Sequence, residues 1–240
     1  MKRLFLAITT IFAFAALAGC KNEVNDNYVE SLVPNIEAID AWPGNLDNPE
    51  LAVEQNTQRY TTYIVFDDSG SMRNDMEGAR QALVQAVKTL PEHDRLGIAA
   101  LNAGEKLAIT SVAEAQREIE TIAEQLRANG VTPLGASIEA ARNRLTMDAQ
   151  RQSGSGLYRM LIITDGVASD HNKMLEEIRT TLNTTPIEMV TVGLKLRSGH
   201  ALNLPGHTVY VDVDNTDALS EALQKIVAER STFEPITSFD

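Results

Sequence analysis

The stretch YIVFDDSGSM, residues 63–72, joins an apolar run to a group of small oxygen-bearing side chains. Its first four residues have the continuous apolarity of a strand that is covered on both faces. Asp67, Ser69 and Ser71 follow on alternate positions, so one short loop can direct their oxygens at a single point. A phosphate, an acyl group attacked by a serine and a hard metal ion are the candidate ligands for that point.

From residue 60 onward, apolar runs alternate with stretches in which apolar residues recur at helical spacing. This alternation predicts an α/β domain with a doubly wound, mostly parallel sheet flanked by helices, similar to Rossmann folds. The runs that predict strands are Tyr63–Phe66, Leu96–Leu101, Leu107–Ile109 (as an edge strand), Met160–Ile163, Met189–Val192 and Val209–Val211. The helical stripes begin at Met76, Val112, Leu134, Leu175 and Leu219.

Three segments of this domain carry candidate ligand atoms. Such sheets bind ligands beyond the carboxyl ends of their strands, near the switch in strand order. The DDSGS loop follows the first strand and Asp165, in TDG, follows a central one, so both fall on that edge. A third segment, NGVTPLGAS at 129–137, presents Thr132 ahead of a helix. Asp68 is expected to be a solvated neighbour, because its side chain points away from those of the alternate positions.

Among the three candidate ligands, the sequence favours a hard divalent cation. The Walker pattern of phosphate sites is absent, and the aspartates would repel an anion. The Gly-x-Ser-x-Gly pattern of serine hydrolases is absent too, and the four histidines are expected at scattered surface positions, without the paired spacing that zinc requires. Mg²⁺ accepts carboxylate, hydroxyl and water oxygens. Five residues supply the protein groups: Asp67, Ser69, Ser71, Thr132 and Asp165.

The order and spacing of these five residues resemble the metal-ion-dependent adhesion site of von Willebrand factor A domains. The resemblance covers the Asp-x-Ser-x-Ser loop, the threonine of TPLG and the aspartate of TDG, within residues 60–230. It implies a Rossmann-like fold in which the five residues hold Mg²⁺ or Mn²⁺, directly or through water. It also implies a protein partner that completes the metal shell with a Glu or Asp carboxylate.

Residues 1–19 have the composition of an export signal. Lys2 and Arg3 precede an apolar stretch that is too short to span a bilayer and closes on small residues. LAGC, at 17–20, resembles the bacterial lipobox, which implies cleavage before Cys20 and lipidation of that cysteine, with membrane contact through the lipid anchor only. The sorting rule for the next residue, Lys21, implies the outer membrane of the bacterial envelope, facing the periplasm or the surface.

The acidic balance of the chain limits its partners. A net charge of -12 argues against nucleic acid, which requires a basic surface. Residues 20–59 are rich in acids and asparagine without sustained periodicity, which predicts a flexible acidic linker after the lipidated cysteine. Within that linker, Trp42 is expected to form a local turn that packs on the domain. The predicted organisation is a lipoprotein signal peptide (1–19), this linker (20–59), a von Willebrand factor A domain (60–231) and a C-terminal tail (232–240).

Together these patterns predict an envelope-anchored, metal-dependent protein-binding module, for adhesion or complex assembly, without enzymatic activity. Two alternatives stay open at this stage. One is a hydrolase that uses a Mg²⁺-activated water, against which stands the lack of a general base outside the metal ligands. The other is a structural envelope tether in which the metal only stiffens the fold.

Overall fold

A single mixed sheet organises the computed structural model, which describes residues 26–196 and 200–229. Its strands are β1 Tyr60–Phe66, β2 Arg95–Ala100, β3 Gly104–Ser111, β4 Leu157–Thr164, β5 Glu188–Leu194 and β6 Val209–Val213. Their order is β3-β2-β1-β4-β5-β6, and each neighbouring pair is parallel except β2 with β3. The predicted doubly wound, mostly parallel sheet is therefore confirmed, with β3 as its antiparallel edge strand.

Helices cover both faces of this sheet. They are α1 Asp26–Glu30, α2 Ile36–Ala41, α3 Met76–Thr89, α4 Val112–Gln125, α5 Leu134–Arg151, α6 His171–Thr184 and α7 Thr216–Ala228. One hydrophobic core lies between the sheet and α3, α4 and α7, and a second lies between the sheet and α5 and α6. The apolar stripes predicted from the sequence supply most of the buried residues of α3, α4, α5 and α7, whereas in α6 only Ile178 of the predicted stripe is buried and Leu175 and Leu182 are partly buried.

Strand β1 lies at the centre of the sheet, and each of its residues is buried. Ile64 and Phe66 join the core under α3, α4 and α7, whereas Tyr63 and Val65 join the core under α5 and α6. Because successive side chains of a strand point to opposite faces, a strand buried on both faces favours apolar residues at successive positions. This explains the continuous apolar run of residues 63–66, whereas the buried Thr61 donates its hydroxyl to Asp148.

The segment that precedes β1 lies against the domain. Leu32 is buried in the core of α5 and α6. The backbone N–H of Asn35 donates to the carbonyl of Asn183 at 2.7 Å, and that of Val53 donates to the carbonyl of Arg151 at 2.8 Å. The expectation of a flexible linker is therefore wrong for the described part of 20–59, because contacts with residues far along the chain order an acidic segment of low periodicity.

Trp42 attaches this segment to α5 and β4. Its ring meets the Tyr158 ring edge-on at 5.0 Å between centroids, and its indole N–H donates to Thr146 Oγ1 at 3.1 Å. The next residue, Pro43, accepts a hydrogen bond on its carbonyl from the Gln150 amide at 3.0 Å. The expected turn that packs Trp42 on the domain is confirmed.

The predicted signal peptide (1–19), the lipidated Cys20 and the tail (232–240) lie outside the described residues. They stay predictions from the sequence. Within 26–196 and 200–229, no helix is long and apolar enough to cross a membrane.

Replacing Trp42 with alanine is expected to lower the free energy of unfolding by about 2 kcal/mol, because it removes an edge-to-face ring pair and an indole hydrogen bond. Urea unfolding followed by circular dichroism measures the loss without relying on the fluorescence of the only tryptophan. Trp42→Phe keeps a ring against Tyr158 and is expected to lose about 1 kcal/mol. Equal stability of all three proteins would show that the segment does not rest on the domain in solution.

Candidate metal centre

Asp67 is held in place where β1 ends. Its backbone N–H donates to the carbonyl of Ile163 at 2.9 Å, which extends the pairing of β1 with β4 by one residue. Its carboxylate Oδ1 accepts from the Ser69 N–H at 2.8 Å, and Oδ2 accepts from the Thr164 hydroxyl at 2.6 Å. The side chain is fully buried, so hydrogen bonds on both oxygens replace the water that it loses on folding.

Two serines and Asp165 form a hydrogen-bonded row beside Asp67. The hydroxyl oxygens of Ser69 and Ser71 are 2.9 Å apart, and the Ser71 hydroxyl donates to Asp165 Oδ1 at 2.7 Å. The loops that carry them follow the adjacent strands β1 and β4, whose register pairs Phe66 with Ile163. The DDSGS and TDG segments therefore lie at one edge of the sheet, as predicted.

Thr132 reaches the same place from the loop before α5. A Cβ atom on Gly166 would lie 3.5 Å from Thr132 Oγ1 and 3.8 Å from Ser71 Oγ, so both hydroxyls face one small space beside the TDG turn. The carbonyl of Thr132 accepts from the Ser169 N–H at 2.9 Å, which joins the two loops. All five predicted residues thus lie together at the carboxyl end of the central strands.

The site combines several side-chain oxygens without a cationic side chain among the described residues. No described lysine, arginine or histidine forms a salt bridge with Asp67 or Asp165. Burial raises the pKa of Asp165 above its ordinary value; the hydrogen bond from Ser71 lowers it, and the nearby charge of Asp67 raises it again. The described residues hold no cluster of three or more His, Cys, Asp or Glu side chains suited to a metal, so any cation here would depend on hydroxyl oxygens.

Asp68 corrects the expectation that it is a solvated neighbour. It is buried, and its carboxylate turns away from the hydroxyls toward the β2–β3 turn. Oδ1 accepts from the backbone N–H and the side-chain amide of Asn102 at 2.7 and 3.0 Å, and Oδ2 accepts from the Ala103 N–H at 3.1 Å. The Asn102 amide also donates to the carbonyl of Val131 at 2.8 Å. Asp68 therefore fixes the loop that carries Thr132.

Gly130 permits this contact. Its φ of +81° lies in the left-handed region, and a Cβ on it would come within 2.3 Å of the Asn102 side-chain oxygen. Its carbonyl accepts from the Gly70 N–H at 3.1 Å, which links the Thr132 loop to the serine loop. The glycine therefore allows the approach of three loops around the site.

Two further residues support the site and were missed at the sequence level. The carboxylate of Asp170 accepts from the backbone N–H groups of Gly135 and Ala136, both at 2.9 Å, at the start of α5. His200 is buried, contrary to the surface position expected of it; its Nδ1 accepts from the Leu202 N–H at 3.1 Å. Its Nε2 therefore carries the proton and donates to the Gly166 carbonyl at 3.2 Å. Asp170 precedes α6 but binds the start of α5, so the capping signal that an aspartate before a helix gives would not have revealed this contact, and nothing in sequence singled out His200.

Comparison with known proteins agrees with the fold. Residues 62–168 match the family model of the von Willebrand factor type A domain. A comparison with curated proteins gives no match.

Several solved structures share the fold at low sequence identity. A von Willebrand factor type A protein from Catenulispora acidiphila aligns at a TM-score of 0.61 and 18% identity, over 71% of this chain and 42% of its own. The PilB minor pilin from Streptococcus sanguinis aligns at a TM-score of 0.54 and 15% identity, over 72% of this chain and 61% of its own. The von Willebrand factor domain of the type V pili tip protein Mfa5 from Porphyromonas gingivalis aligns at a TM-score of 0.56 and 10% identity, over 75% of this chain and 99% of its own. The chain spans about half the length of the first structures that it matches. The family model thus matches residues 62–168, and the neighbours share the fold of the domain.

Replacing Asp68 with asparagine is expected to lower the free energy of unfolding by about 2 kcal/mol, because the new amide group places a donor against a backbone N–H donor at 102 or 103. Chemical unfolding of the variant and the parent protein measures the difference. Glu118→Gln, which removes one exposed charge in α4, is the matched control and is expected to change stability by less than about 0.5 kcal/mol. Equal stability of both variants would show that the Asp68 contacts do not hold the loops.

Proposed function

We propose that this chain is a non-enzymatic protein-binding module that contacts its partner through Mg²⁺ or Mn²⁺. The residues that would hold the cation are Asp67, Ser69, Ser71, Thr132 and Asp165. The observation that supports this most directly is the hydrogen-bonded row from Ser69 through Ser71 to Asp165, with the Thr132 hydroxyl facing the same space. The hydrogen bonds bring the oxygens of Ser69, Ser71 and Asp165 close together, and a bound hard cation would replace these hydrogen bonds with coordination.

The donor set fits Mg²⁺. This cation takes oxygen ligands, usually one or two carboxylates from a protein, and keeps several waters. Both oxygens of Asp67 already accept hydrogen bonds from Ser69 and Thr164, which suits a contact through water. Asp165 is partly exposed and the Ser71 side chain is exposed, so the site opens to solvent on this side.

A bound divalent cation would supply an electrophilic centre for one anionic oxygen from outside. Three of the five protein ligands are neutral hydroxyls, so the cation keeps more of its positive charge than it would among several carboxylates. A Glu or Asp side chain of a partner protein is the donor that this chemistry favours. Asp68 and Gly130 hold the Thr132 loop, His200 holds the Asp165–Gly166 turn, and these contacts prepare the site before the partner arrives.

Binding is favoured over hydrolysis because the described residues offer no general base beside the site. His200 is the histidine that contacts the TDG turn, and both of its ring nitrogens are engaged in hydrogen bonds. A general base must reach the water that it activates. Asp67 and Asp165 are proposed ligands, whereas the nearby carboxylates of Asp68, Asp170 and Asp75 are engaged with backbone N–H groups or with Lys195.

We also propose that lipidation of Cys20 attaches the chain to the bacterial envelope, at the outer membrane facing the periplasm or the surface. The lipobox-like LAGC supports the anchor. Two proteins of similar fold, a minor pilin and a pilus tip protein, are surface structures of bacteria, which agrees with an exported position.

Changing Cys20 to serine is expected to move the protein from the membrane fraction to the soluble fraction, or to leave it unprocessed. Acyl chains contribute about 0.8 kcal/mol for each buried methylene, so losing them removes the attachment. Fractionation and incorporation of labelled fatty acid measure the change. Unaltered membrane attachment of the variant would mean that the apolar segment itself is the anchor.

Saturating Mg²⁺, at about 100 times its dissociation constant, is expected to add roughly 2.7 kcal/mol to the free energy of unfolding. Thermal unfolding with Mg²⁺, with Mn²⁺ and with excess chelator measures the effect. Thr132→Val keeps the shape of the side chain and removes the hydroxyl, so its cation-dependent stabilisation should fall. Thr121→Val, at an exposed position of α4, should behave as the parent protein does.

Identical melting temperatures with cation and with chelator would contradict the metal site. Cation-dependent hydrolysis of a substrate, lost in Thr132→Val, would contradict the binding function and support the enzyme alternative.

A further inference from the structure

Two exposed valines stand beside the proposed metal site. Val131 precedes Thr132 and is 62% exposed, and Val167 follows the TDG turn and is 52% exposed. Neither belongs to the two hydrophobic cores or to the partly buried residues packed against them. Because the free energy falls when apolar side chains are removed from water, a partner that covers these valines would be stabilised by the contact.

The two valines lie on loops that contact each other. Their loops are joined by the hydrogen bond from the Ser169 N–H to the Thr132 carbonyl, at 2.9 Å. The Gly166 backbone also lies against the Thr132 hydroxyl. The carbonyl of Val131 accepts from the Asn102 amide, so the backbone that presents this valine is fixed. Two of the loops that would hold the cation therefore each carry an exposed valine.

A cationic side chain stands on the third loop. Arg73 is exposed in the short 3-10 helix Gly70–Asn74, which begins beside Ser71. Within the described residues it has no salt bridge, whereas Lys195 is paired with Asp75 at 2.6 Å. In a chain with a net charge of -12, an arginine without a salt bridge on the loop of Ser71 favours an acidic partner.

From these observations we infer that the partner segment is acidic and aliphatic. One Glu or Asp would contact the cation, an adjacent Leu, Ile, Val or Met would cover Val131 and Val167, and a second acid would face Arg73. The inference rests on the proposed function, because the first acid needs the metal. It adds the chemistry of the neighbouring positions, which the metal alone does not determine.

Selection of random dodecapeptides displayed on phage tests this, with the purified full chain as the target in Mg²⁺ and in chelator. The peptides recovered only in Mg²⁺ are expected to carry an acid with an aliphatic neighbour. In the double variant Val131→Ser and Val167→Ser, acids should still be enriched while the aliphatic neighbours are not. The affinity of a selected synthetic peptide for that variant should fall about tenfold, the loss expected for about two buried methyl groups.

Three controls separate the causes. Val209→Ser removes an exposed valine from β6, away from the site, and should leave the selection unchanged. Arg73→Gln should remove the preference for the second acid only. The stabilisation by Mg²⁺ should be the same in the double variant and in the parent, which shows that the valine changes leave the metal site and the fold intact.

The outcomes distinguish this inference from the function on which it rests. Acids enriched without aliphatic neighbours, or a selected peptide that binds the double variant as tightly as the parent, would overturn the inference and keep the metal-dependent binding of acids. Peptides recovered equally in Mg²⁺ and in chelator, without enrichment of acids, would overturn both.

Discussion

The parallel pairing of β1 with β4 is the constraint on which the site depends. It places Phe66 beside Ile163, so the chain leaves both strands at the same edge with Asp67 next to Thr164. Every later contact of the site, from the two serines to Asp165, starts from that register. A shift of one residue would turn each side chain of β1 to the opposite face of the sheet. It would disrupt the packing of both cores and move the Asp67 carboxylate away from Thr164.

The loops of the site are held by neutral donors. Backbone N–H groups, the Thr164 hydroxyl and the Asn102 amide satisfy Asp67 and Asp68, whereas no arginine or lysine among the described residues pairs with either. Salt bridges here would have neutralised the carboxylates. Hydrogen bonds fix both aspartates in place without a cationic side chain, which suits the cation site proposed above.

The sequence predicted most of the fold and the positions of the candidate ligands. Continuous apolar runs and helical stripes depend on local periodicity, and the carboxyl ends of parallel strands share an edge, so DDSGS and TDG could be placed together in advance. From the sequence we expected a solvated Asp68 and a flexible linker around Trp42, and both expectations failed because the partners of these residues lie far along the chain. Asp68 bonds residues 34 and 35 positions away, and Trp42 bonds Thr146, 104 positions away. Polarity suggested solvent in both regions, and only the folded chain reveals the donors that replace it.

The path of β1 has a mechanical consequence. The segment 26–59 meets this strand at the edge opposite the site, and Asp67 follows the strand at the other end. Tension between the N-terminal side of the chain and an object held at the site would run along β1. Its hydrogen bonds to β2 and β4 lie across that direction and would be sheared together, so the most deeply buried strand of the fold is also the one that resists a pull.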